Sequence, residues 1–168
     1  AAVRHFRGRR VIWEIWNEPN SHFWRPKPDV GKYADLALAA GKAVREAVPE
    51  ATIVGPAASG IDMPFIDPFL KSGVLAYLDG VSVHPYRAGP PETAAAEYRI
   101  LREKIDRYAP PGRKSPIAVV SGEWGYSSDG KDVSPERQAA YLVRQQRCNL
   151  HSGVPLSVSD PERGRRLE

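Results

Sequence analysis

Apolar residues along this chain follow two rhythms that alternate from one end to the other. Four short runs are rich in β-branched and aromatic residues: Val11 to Trp16, Ala51 to Ala57, Gly80 to Tyr86 and Pro116 to Trp124. Runs of that length and composition predict buried strands. Between them the apolar positions fall at helical spacing. Tyr33, Leu36, Ala37, Ala40, Val44 and Ala47 form one face of a helix that Asp29 is placed to cap and Pro49 closes. Helical material is predicted between Pro64 and Leu78, broken near Gly73, and a longer polar helix over 91–108 turns Tyr98, Leu101, Ile105 and Tyr108 to one side. Ser134-Pro135-Glu136 opens a further helix with a cap, a first-turn proline and an acid near the positive end of the dipole. It ends at Ser152-Gly153, and Pro155 to Val158 begins a fifth strand.

Strand and helix therefore alternate, with short connections throughout. Such alternation implies parallel strands with helices outside them. Two α/β architectures fit: an open doubly wound sheet, or part of a (β/α)8 barrel. A whole barrel takes about 250 residues, so 168 residues would make a little over half of one. The expected organisation is a basic N-terminal end over 1–10, one α/β domain over 11–158 and a polar basic tail over 159–168.

Composition narrows the function classes. The formal charge of +4 suggests a nucleic-acid partner, but seven of the 24 basic residues and three of the 20 acidic ones lie in the two ends. The body between them is neutral, without the basic stripe that nucleic-acid binding requires. No run of 18 apolar residues exists, so no membrane partner is expected. The first ten residues show no apolar core of a signal peptide. Cys148 is the only cysteine and sits in a predicted helix, where it reads as a buried thiol. His5, His22 and His151 have no ligand spacing, so no metal or other cofactor is expected. The turn Gly55-Pro56-Ala57-Ala58-Ser59-Gly60 lacks the glycine pattern of a nucleotide-binding loop.

The chemistry collects where strands end. Pro19 cannot donate to a ladder, so the first strand stops before it and Glu18 opens into a loop, half out of water, where its pKa is expected to rise. Glu123 holds the same kind of position on the fourth strand. In parallel α/β folds the C-terminal strand ends share one face, and sites gather there. Period-2 alternation puts Ser82, His84 and Tyr86 on one face of the third strand. Glu18, His84, Tyr86 and Glu123 are therefore expected to converge, with Asn17 and Trp124 beside the two acids. A pair of carboxylates is the requirement for glycoside hydrolysis: one protonates the leaving oxygen, the other attacks or activates water. An asparagine amide suits a sugar hydroxyl, and the exposed faces of Trp16, Trp24 and Trp124 suit sugar rings. Trp13 reads as core, and Glu14 as a buried acid of the interior. Glu18, His84 and Glu123 could hold a metal, but the carboxylate pair needs none for this chemistry.

The ordered set Trp16-Asn17-Glu18-Pro19-Asn20 with Phe23-Trp24, then Gly55-Pro56-Ala57, His84-Pro85-Tyr86 and Glu123-Trp124 resembles glycoside hydrolase clan A, nearest in character to families 39 and 5. The resemblance covers about residues 10–155. It implies a partial (β/α)8 barrel running from barrel strand 4 to the start of strand 8, with strands 1–3 missing and strand 8 incomplete. It also implies Glu18 as acid/base, Glu123 as nucleophile, Asn17 as the contact to the sugar 2-hydroxyl, Tyr86 as partner of the nucleophile, and His84 as a subsite or acid/base-tuning residue. The implied substrate is a β-linked oligo- or polysaccharide, hydrolysed with retention. The tryptophan that usually ends strand 8 in the clan is replaced by Ser159-Asp160-Pro161, and an isolated segment of this kind is expected to be weakly active or inactive.

Overall fold

The computed structural model describes residues 1–128 and 133–159. The tail expected after Ser159 lies outside the described residues. Five strands form one sheet in the order β1 (Ile12–Glu14), β2 (Thr52–Ser59), β3 (Gly80–His84), β4 (Ala118–Trp124) and β5 (Leu156–Ser159), and every neighbouring pair is parallel. The sheet curls into a half-barrel, as a partial (β/α)8 barrel should. Its outer face is covered by α2 (Val30–Ala47), α3 (Met63–Lys71), α4 (Ala94–Tyr108) and α5 (Pro135–His151). The N-terminal end also holds a single helical turn, α1 (Ala2–His5), after which Phe6 packs near Trp13.

The helix starts follow their predicted chemistry. The Asp29 carboxylate accepts from the Lys32 backbone N–H at 3.0 Å, and Ser134 caps α5 through the N–H of Arg137. Pro91 does not begin α4. It opens a 3₁₀ turn, Pro91–Thr93, and the α-helix follows at Ala94. The core lies between sheet and helices. Ile53, Val81, Val83, Val119, Phe65, Phe69, Leu70, Leu75, Leu78, Leu101 and Ile105 are all buried there. Gly41 on α2 is needed for this packing, since a Cβ would meet that of Tyr77 at 2.8 Å. Cys148 is buried as expected, and burial pushes its thiol pKa up.

The two sheet faces differ. Helices dry the outer one, whereas the inner face of β1 is open: Ile12 and Glu14 are exposed there. Glu14 is thus not the buried acid expected from its strand position. Period 2 does turn it to the inner face, but that face is solvated beside the β1 edge.

At the N-terminal ends of the strands, Asp79 ties elements together. Its Oδ2 accepts from the Ile53 N–H at 2.8 Å and from the Arg45 guanidinium at 2.6 Å. Arg45 also donates to the carbonyls of Ala51 and Tyr77. In a barrel, this end serves stability and the opposite one serves chemistry.

Candidate active site

Regular pairing of β1 stops at Glu14, and the chain then makes an irregular turn in which Trp16 and Glu18 take positive φ, 67° and 44°. Side chains with a Cβ avoid this region, so neighbouring contacts must hold it. Glu18 N–H donates to the Ala57 carbonyl at 2.9 Å. Ala57 itself has φ 55°, at the point where the β2–β3 register slips, and its N–H donates to the Ser82 hydroxyl at 2.9 Å. On the other side, the Ser21 hydroxyl donates to the Glu18 carbonyl at 2.9 Å. Asn20 completes the clamp: its amide nitrogen donates to the Ser59 carbonyl and the Asp62 carboxylate, both at 2.9 Å, and its oxygen accepts from Ser59 N–H at 2.8 Å. Asn20 belongs to the motif quoted from the sequence but is given no role there. Its position two residues past Glu18, just after Pro19, was the available signal.

Glu18 is almost completely buried, at 1% exposure, and so more enclosed than a half-wetted strand end. Its Oε1 lies 3.1 Å from Nδ1 of the fully buried His84. The same nitrogen is 3.6 Å from Oε2 of Glu123, which also accepts from the Tyr86 hydroxyl at 3.3 Å. One donor atom from each of Glu18, His84 and Glu123 lies within 4.8 Å of the others. A cation could reach the same three groups, and they are the described residues that could hold one. Glu123 keeps part of its side chain in solvent, while Glu18 does not. Two carboxylates of unequal exposure, of which one is hydrogen-bonded to the imidazole, can divide the tasks of proton donor and nucleophile.

Glu123 reaches the site through a bulge. A Cβ on Gly122 would point at Glu14 and His84, so Gly122 is on the inner face. Strict alternation would then turn Glu123 outward and Trp124 inward. Instead the β4–β5 register shifts between Ser121 and Trp124. The extra residue inverts the parity, so that Glu123 faces His84 and Trp124 faces the helices.

Trp124 is accordingly not brought to the site. It is fully buried, with the Arg87 guanidinium 5.5 Å from its ring and its carbonyl accepting from Gln145. Of the other tryptophans, Trp16 is half exposed and meets Trp24 edge-on at 5.4 Å. Trp24 is half-buried and stands edge-on to Tyr33, so Trp16 offers the open ring face. Asn17 is half-buried beside Glu18, and its side chain makes no hydrogen bond among the described residues.

The chain matches the cellulase family, glycosyl hydrolase family 5, over residues 4–151. Among solved structures it is similar to a family 39 glycoside hydrolase from the gut symbiont Bacteroides cellulosilyticus WH2, with 25% identity and a TM-score of 0.78 over 95% of this chain and 35% of that one. It is also similar to a monomeric β-xylosidase from Caulobacter crescentus CB15 (24%, 0.74, covering 95% and 36%) and to a family 44 endoglucanase from Clostridium thermocellum (18%, 0.62, covering 88% and 42%). The chain spans about a third of the length of the first of these structures. No curated protein matches it.

Proposed function

The chain belongs to the glycosyl hydrolase family 5 cellulase family, and from that premise we propose that it carries the catalytic carboxylates of a retaining β-glycosidase. The observation that carries the reading is the approach of Glu18 and Glu123, with carboxylate oxygens within 4.8 Å of one another. Retaining enzymes keep the two carboxyl groups about 5–5.5 Å apart, whereas inverting ones leave room for a water between them. In the first step Glu123 attacks the anomeric carbon while Glu18 gives its proton to the departing glycosidic oxygen. In the second, Glu18 takes a proton from water, the resulting hydroxide displaces Glu123 from the sugar, and the configuration is retained. Tyr86 holds the nucleophile's oxygen, His84 holds the Glu18 carboxyl, Asn17 offers its amide to the 2-hydroxyl, and Trp16 offers a ring face to a neighbouring sugar.

The substrate we propose is a β-linked oligo- or polysaccharide, of the β-xylosidase or cellulase/β-glucanase kind. Turnover by this chain alone is expected to be weak, because the inner face beside β1 is open and Glu123 keeps part of its side chain in water. The same openness favours a second reading, carbohydrate binding without turnover. Incubation with 2-fluoro-β-glycosides followed by mass spectrometry separates the two. A sugar-sized adduct on Glu123 supports the double displacement. Binding without any adduct supports the second reading, and an adduct on another residue overturns the assignment.

A further inference from the structure

The Nε2 of His84 is buried and has no hydrogen-bond partner among the described residues. It faces the space over Gly122, where a Cβ would come within 3.1 Å of it and within 3.1 Å of Oε1 of Glu14. The two atoms are therefore within about 6 Å of each other across a gap that only a glycine leaves open. Glu14 is exposed, and its carboxylate is the acceptor that shares the space over Gly122 with Nε2.

Five groups surround the imidazole: Glu14 from β1, Glu18 from the loop after it, Gly122 and Glu123 from β4, and Tyr86 from the segment after β3. Neutral histidine has one donor nitrogen and one acceptor, and its surroundings decide which is which. Suppose Nδ1 carries the proton. It then donates to Glu18, and the Nε2 lone pair is left facing a carboxylate that can only accept. Suppose instead that Nε2 carries the proton. It donates to Glu14, and the Nδ1 lone pair accepts from a protonated Glu18, 3.1 Å away. Glu123 does not compete, since 3.6 Å from Nδ1 is beyond hydrogen-bond length and its Oε2 already accepts from Tyr86. The second arrangement satisfies both ring nitrogens.

We propose that Glu14 is a positioning residue: by accepting from Nε2–H it holds His84 in the tautomer whose Nδ1 keeps the proton on Glu18. The consequence for catalysis rests on the reading of Glu18 as the acid, whereas the tautomer itself does not. A hydrogen bond to the neutral carboxyl favours that form, which is the form the first step consumes.

The test is side-chain nitrogen NMR on the full 168-residue chain at neutral pH, with His84 identified by loss of its signals in His84→Gln. The expected result is a proton on Nε2 in the native chain, a shift of the proton toward Nδ1 in Glu14→Leu, and a return toward the native pattern in Glu14→Gln, which keeps an acceptor. His5, His22 and His151 should not change. An Nδ1–H ring or a doubly protonated ring in the native chain overturns the proposal, as does an unaltered pattern in Glu14→Leu. A second readout addresses catalysis. Glu14→Leu should slow adduct formation on Glu123 about tenfold for a 2-fluoro-glycoside with a poor leaving group, and little for one with a good leaving group. Equal slowing of both would overturn the positioning role. If no donor labels the native chain, the glycosidase reading fails while the NMR result still decides the tautomer.

Discussion

Asn20 and Ser59 hold each other twice: the asparagine oxygen accepts from the serine N–H at 2.8 Å, and the asparagine amide donates to the serine carbonyl at 2.9 Å. This reciprocal pair joins the loop that carries Glu18 to the end of β2. Glu18 sits at φ 44°, a conformation that costs about 1 kcal/mol or more when unsupported. Asn20→Ala removes the pair and the bond to Asp62 together. The variant is expected to lose roughly 1–3 kcal/mol of stability, measured by denaturant unfolding. At temperatures where it stays folded, it should label Glu123 more slowly with poor leaving groups than with good ones. Stability loss with unchanged leaving-group dependence would make Asn20 a purely structural tie.

Glu18 and Glu123 should also separate kinetically. Glu18→Ala removes the proton donor, so it should spare substrates whose leaving groups depart as stable anions and penalise poor leaving groups by about 10²–10⁴-fold. Glu123→Ala should abolish adduct formation with both. The measurement is the rate of sugar labelling across a series of aryl leaving groups. A flat dependence in the native chain and in Glu18→Ala alike would remove Glu18 from the acid role.

The element order was legible because each strand is a compact apolar run and each helix has a cap or breaker that acts locally. The meeting of Glu18, His84, Tyr86 and Glu123 was legible too, since parallel strands carry all their C-terminal ends to one side. What was not legible was the orientation of Trp124, which was placed at the site only as the neighbour of Glu123. Residues adjacent in a strand face opposite ways, and an extra residue decides which of the two turns inward; Gly122, whose missing side chain often marks a bulge, was the available signal. Glu14 failed for a different reason: its face was read correctly, but the openness of that face depends on what stands across the barrel. The clamp by Asn20 is a tertiary contact between residues 39 positions apart, and no local propensity encodes it.

The opposite end of the sheet yields a control. Asp79 accepts from Ile53 N–H and from Arg45, joining β2, α2 and the start of β3. Asp79→Ala would leave a backbone donor and a guanidinium without their shared acceptor, at a cost of about 2 kcal/mol. The site lies at the other ends of these strands, so the variant should show a lower denaturation midpoint with an unchanged pattern of sugar labelling. Loss of labelling at a temperature where the variant is fully folded would mean that the two ends are coupled.

The last expectation concerns alkaline pH. Burial pushes the Tyr126 phenol up to about 12, against a smaller opposing pull from Arg87. Tyr33 and Tyr98 are shifted in the same direction, again chiefly by burial. In the unfolded chain each phenol ionises near its ordinary value of about 10. A pKa raised in the folded state means that folding holds the proton. The stabilisation is therefore complete below about pH 10 and is lost as pH rises through the folded value. The chain should lose stability progressively above about pH 10, with the phenolate absorbance of Tyr33, Tyr98 and Tyr126 appearing together with unfolding rather than before it. Tyr126→Phe removes one titrating group and also the hydrogen bond to the Gly89 carbonyl. It should start from a lower stability near neutral pH, yet fall less steeply between about pH 10 and 12. Phenolate absorbance of all seven tyrosines near pH 10 in a chain still folded by circular dichroism would show that these hydroxyls are open to solvent, contrary to the burial of Tyr33, Tyr98 and Tyr126.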